Sequence, residues 1–211
     1  MTDSFKPKSD SGDVSTRRRE GMTELAGRVN QQKGRAIIVG LGNPLLTDDA
    51  VGPRVAGLVY DILSSPDVDF RELAAGGVEL METVLGYKKA VIIDAILTEE
   101  GTPGTCYRLD LASLRPTLHA AMSHEIGLLE GLDLGRRLGL AVPDSVRVYA
   151  VQIVDPFSFG TKMTDSVERA LPRAANEIAA EVRVFLNESN GNDQVLWIEE
   201  HHHADSSRHS V

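Results

Sequence analysis

Two short runs constrain the fold more than anything else in this sequence: Arg35 to Leu41 (RAIIVGL) and Ala90 to Ile96 (AVIIDAI). Both are rich in β-branched residues and neither alternates apolar with polar, the pattern of strands covered on both faces. Such strands belong to a parallel sheet held between helices. Gly42-Asn43-Pro44 ends the first run and Gly52-Pro53 opens a helix, along which Val55, Leu58, Val59 and Ile62 recur at i, i+3, i+4 and i+7. Further strands are expected at Asp69 to Leu73, Thr105 to Leu109 and Ser145 to Gln152. Helices are expected at Glu79 to Leu85 after the Gly76-Gly77 turn, at His124 to Leu138 with Leu128, Leu129 and Leu132 toward the core, and at Thr164 to Asn187. Pro172 is expected to break or kink the last. The expected fold is α/β, a three-layer α/β/α domain with a twisted, mostly parallel five-stranded sheet.

The 211 residues suit one domain of about 150 residues with tails. Residues 1–34 are polar and aperiodic and are expected to form a disordered extension, with the domain at 35–187 and a flexible tail at 188–211. The tail carries His201-His202-His203, read as solvated, with adventitious metal binding or help in metal delivery as the alternative. Arg17-Arg18-Arg19 is followed by Glu20 and polar residues where an export signal needs an apolar segment, so no export and a cytoplasmic location are expected; Met22 is an alternative start. No segment approaches the roughly 18 to 20 apolar residues of a membrane span. The net charge of -9 weighs against nucleic acid as a partner. Cys106, the single cysteine, allows no internal disulfide and no thiolate cluster, and reads as a small buried residue of a strand.

In open sheets, ligands collect at the carboxyl ends of the strands where strand order reverses. The loop GLGNPLLTDDAVG, Gly40 to Gly52, places Asp48 and Asp49 after the first strand, and Asp94 stands near the end of AVIIDAI. A carboxylate after Val91-Ile92-Ile93 needs hydrogen bonds, a cation or protonation to offset its desolvation, which leaves a site role and a bracing or N-cap role both open. His124, in MSHEIGL, opens a helix, and taken alone reads as a cap-region or surface histidine. Two carboxylates and one imidazole form an O/O/N set suited to a borderline divalent metal or to acid–base work without one. A dinucleotide fingerprint fails at Leu45, where a glycine is required. Peptidyl-tRNA hydrolases resemble the Gly-Leu-Gly-Asn-Pro opening, but no histidine follows Thr47 closely, as it does in them.

Five stretches, IIVGLGNPLLTDDAVG, AAGGVELMETVLGYKKAVIIDAI, GTPGTCYRLDL, SHEIGL and FGTKMTDSVERALP, keep their order and spacing between residues 35 and 185. In these the chain resembles the hydrogenase maturation endopeptidases. The resemblance implies an aspartic-type endopeptidase that removes a C-terminal peptide from the precursor of a nickel-iron hydrogenase large subunit after nickel insertion. It implies Asp49, Asp94 and His124 as the catalytic and metal-contacting residues, nickel supplied by the precursor, and that precursor as the protein partner; the oligomeric state is left open, with a monomer favoured. Asp48 is assigned to bracing the loop through backbone hydrogen bonds. Gly40, Gly42, Gly76 and Gly77 are assigned to shaping the backbone. Ser123 is taken as the candidate nucleophile in the matched stretches. Many family members carry Asp before the double glycine and Thr after it; Ala75 and Val78 stand there instead, a departure that bears on which substrate is processed. The alternatives are a non-catalytic metal- or partner-binding module on the same fold and an amide or peptidyl-tRNA hydrolase.

Overall fold

The computed structural model describes residues 35–74, 76–109 and 123–188, with the backbone alone over 123–129. Strands β1 (Ala36–Leu41) and β3 (Lys89–Ile96) are buried along their whole length, as their unbroken apolar runs require. β1 lies between β2 (Val68–Leu73) and β3, and β3 between β1 and β5 (Ser145–Gln152), all parallel. β4 (Cys106–Leu109) closes the far edge, antiparallel to β5, giving the order β2-β1-β3-β5-β4.

Period-two alternation divides the strand side chains between two helix layers. Ile38, Val91, Ile93, Tyr149 and Val151 pack with α1 (Val51–Leu63) and α4 (Asp165–Asn187). Ile37, Val39, Leu41, Ala90, Ile92 and Val148 pack on the opposite face with Leu80 and Val84 of α2 (Val78–Val84) and Leu132 of α3 (Ser123–Arg137). The expected three layers are present. Among the described residues, no helix is long and apolar enough to cross a membrane.

Two local expectations change. Leu58 is exposed; the buried stripe of α1 is Val51, Val55, Ala56 and Val59, and Leu58 lies about 100° around the helix from Val59. Pro172 does not end α4, which runs uninterrupted through it. Val167 and Leu171 before the proline and Ala174, Ala175 and Ile178 after it are buried in one core cluster, so packing on both sides outweighs the hydrogen bond lost at the ring. The side chains of Leu128 and Leu129, Ala75, and residues 1–34 and 189–211 lie outside what the structure describes.

Away from the carboxyl ends of the strands, Lys89 is buried at the start of β3. Its Nζ donates to the Phe185 carbonyl at 2.6 Å and the Glu188 carbonyl at 2.8 Å, closing the last turn of α4 with a positive charge. The Phe185 ring carries Lys89 Nζ 4.8 Å and Arg147 Cζ 4.4 Å from its centre.

Candidate active site

The strand order sets the place. From β1 the chain passes to β2 on one side and then returns to β3 on the other, so the order reverses between β1 and β3. Open sheets of this kind bind ligands at the carboxyl ends of the strands on either side of such a reversal; here those ends carry the loop after β1 and Asp94, the sixth residue of β3.

Three glycines let that loop fold back onto the strands. A Cβ on Gly42, at φ +142°, would lie 1.9 Å from the Asp49 carbonyl oxygen, and one on Gly40 2.5 Å from Pro53 Cα. A Cβ on Gly52 would stand 2.0 Å from the Leu41 oxygen and 2.6 Å from the Ile93 oxygen. The first turn of α1 is therefore seated directly on the ends of β1 and β3, and the Asp49 loop crosses beside the residue that precedes Asp94. Gly40 and Gly42 shape the backbone as expected. Gly77, at φ +69°, does so by conformation alone, with open space where a Cβ would point.

Asp48 is buried and braces the loop. Its Oδ2 accepts from the backbone N–H groups of Val154 at 3.1 Å and Asp155 at 3.0 Å and from the Thr164 hydroxyl at 2.9 Å, while Oδ1 accepts from the Thr164 N–H at 2.7 Å. Four donors offset the desolvation of one carboxylate. Asp49 is only half-buried, and its Oδ2 accepts the Asn43 N–H at 2.6 Å. Asp94 is buried, and its Oδ1 accepts the Ala95 N–H at 2.7 Å. It shares a strand face with Ala90 and Ile92, the face covered by α2 and α3.

His124 is the second residue of α3, after Ser123; its side chain lies outside what the structure describes. Ideal Cβ positions place Gly131 of that helix 3.0 Å from Met81 Cβ and 3.7 Å from the Gly77 oxygen, and Gly135 2.9 Å from Val142 Cγ1, just before β5 begins. The last turns of α3 thus face the amino edge of the sheet and its opening turn the carboxyl edge, where Asp49 and Asp94 are. Among the described residues, no three His, Cys, Asp or Glu side chains form a metal-holding group.

Two holding devices were not foreseen from the sequence. One is the segment 154–164, which supplies every donor to Asp48 described above. The other is buried Gln152, whose Nε2 donates to the Thr98 carbonyl at 3.2 Å and whose Oε1 accepts the Thr98 hydroxyl at 2.8 Å, fixing the loop after β3. FGTKMTDS was conspicuous as a matched stretch, yet nothing in it marks a contact with a loop so distant in sequence.

The sequence model of the family described as HycI, hydrogenase maturation protease, matches residues 53–181, more than half of the chain. The chain belongs to the hydrogenase maturation protease family. The hydrogenase 2 maturation protease of Escherichia coli (strain K12) is 27% identical over 151 residues, 71% of this chain and 91% of that protein. The [NiFe] hydrogenase maturation protease HybD from Thermococcus kodakarensis superposes with a TM-score of 0.52 at 26% identity, covering 70% of this chain and 98% of that one. The hydrogenase maturating endopeptidase HybD from E. coli, at 24% identity, shares the fold with a TM-score of 0.57 over 72% of this chain and 93% of its own. As a member of this family the chain is a peptidase, which replaces the small-amide and peptidyl-tRNA hydrolase readings. The matched span includes Asp94 and His124 and begins just after Asp49.

Proposed function

We propose that this maturation protease is a cytoplasmic, aspartic-type endopeptidase that removes a C-terminal peptide from the precursor of a nickel-iron hydrogenase large subunit once nickel is in place. The observation that carries this reading is the meeting of the Asp49 loop with the Asp94 strand end at the switch point of a family peptidase. Nickel arrives with the precursor as part of the substrate. Asp49, Asp94 and His124 contact it there, so the metal reports that the precursor is ready.

Hydrolysis adds water across the scissile amide: the water oxygen bonds to the carbonyl carbon and the amide nitrogen leaves with a proton. Asp49 or Asp94 takes the proton from the attacking water and passes it to the departing amine, or the precursor's nickel activates the water as a Lewis acid. The partial exposure of Asp49 supports a first contact with substrate, and the burial of Asp94 supports a carboxylate held away from bulk water.

Incubation with a large-subunit precursor, with and without nickel, followed by intact-mass analysis, tests the proposal. Nickel-dependent loss of a C-terminal peptide, abolished in Asp49→Ala and His124→Ala, is the expected result. Normal processing by those variants sinks the assignment of roles. Binding without cleavage moves the protein to a non-catalytic module.

A further inference from the structure

The structure assigns the paired loops beside Asp49, carrying Leu45, Phe157 and Phe159, to the docking of an apolar segment of the protein substrate; this rests on the proposed function above. Phe157 is 80% exposed, Phe159 86% and Leu45 61%. Large apolar side chains grouped on a surface mark contact sites, and aromatic anchors carry much of the affinity of protein interfaces.

The backbone beneath them is held in place. Leu46 forms an antiparallel bridge with Phe159, Thr47 N–H donates to the Ser158 carbonyl at 2.9 Å, and Gly160 N–H donates to the Leu45 carbonyl at 3.0 Å. Asp155 Oδ1 accepts the N–H groups of Phe157 at 3.1 Å and Ser158 at 3.0 Å, and Asp48 holds the N–H groups of Val154 and Asp155. The two phenyl rings are thus presented on a rigid turn, which lowers the ordering cost of binding.

The occupant follows from continuity with the site. The loop bearing Leu45 is the loop bearing Asp49, so whatever lies on Leu45 and the phenylalanines lies beside Asp49. A family peptidase must admit a protein chain there. A second copy of this protein seated on the same loops would stand beside Asp49 and obstruct that chain.

The test compares the wild type with Phe157→Ala/Phe159→Ala, using nickel-loaded precursor and intact-mass kinetics. The expected result is a KM raised about tenfold, with the loss falling on KM rather than kcat. Phe157→Leu/Phe159→Leu, which keeps apolar area, is expected to recover most of it, and circular dichroism checks the fold of each variant. An unchanged KM in the alanine variant, with wild-type cleavage intact, overturns the docking inference and leaves the proposed function standing. If the wild type binds the precursor without cutting it, and the alanine variant loses binding, the cleavage reading fails and the docking surface stands. A wild-type dimer in sedimentation that the alanine variant dissolves makes the patch a self-interface and overturns the inference.

Discussion

Thr164 gives both its backbone N–H and its hydroxyl to the carboxylate of Asp48, at 2.7 and 2.9 Å, and so ties the residue before α4 to the loop before α1. Asp48→Asn keeps the shape but replaces one acceptor oxygen with a donor, setting N–H against N–H. A loss of roughly 2–4 kcal/mol in urea unfolding is expected, with processing impaired through displacement of Asp49. Unchanged stability overturns the bracing role.

Asp94→Asn is expected to behave in the opposite way. The substitution is nearly isosteric, so the melting temperature should hold within a few degrees, while the processing rate falls about a hundredfold or more as a proton acceptor is lost. Full activity in a folded Asp94→Asn protein removes Asp94 from the chemistry.

Glycine positions separate close approach from simple flexibility. Gly42→Ala is expected to destabilise by roughly 1–3 kcal/mol, because its Cβ would meet the Asp49 carbonyl at 1.9 Å. Gly57→Ala, inside α1, meets nothing nearer than Phe70 at 3.6 Å and is expected to stabilise by about 0.5–1 kcal/mol. Denaturant midpoints measured side by side check the contrast.

Lys89→Met keeps the apolar stem and removes the two hydrogen bonds to the end of α4. A loss of about 1–3 kcal/mol is expected with processing of the precursor retained, since Lys89 is at the amino end of its strand and Asp94 near the other. Hydrogen exchange should show the last turn of α4 opening first.

Burial pushes the Cys106 thiol up to about 11, with nearby Glu177 adding to the effect. A thiol whose folded value lies above its unfolded one favours the folded state at neutral pH, and that advantage fades as pH rises through about 11. At pH 8 alkylation of native protein by iodoacetamide should be far slower than that of unfolded chain, and Cys106→Ser should process precursor normally. Rapid labelling of the native thiol contradicts this.

The element order was legible in the sequence because strands buried on both faces leave unbroken β-branched runs and helices leave a 3.6-residue rhythm. Asp94 drew attention because a carboxylate in such a run must be compensated, and Gly42 because it follows a strand directly. From the sequence, Asp48 and Asp49 take different roles, the first bracing the loop and the second, by resemblance, belonging to the site. Only the tertiary structure supplied the partners, burying Asp48 against the backbone of 154–164 and leaving Asp49 half-exposed. Pro172 within a helix, Leu58 on the outside and two phenylalanines facing solvent were likewise decided by packing. The reason is one of range: local propensity acts over a few residues, whereas the partners of Asp48 and the neighbours of Pro172 arrive from chain segments that only the completed sheet and its helix layers bring together.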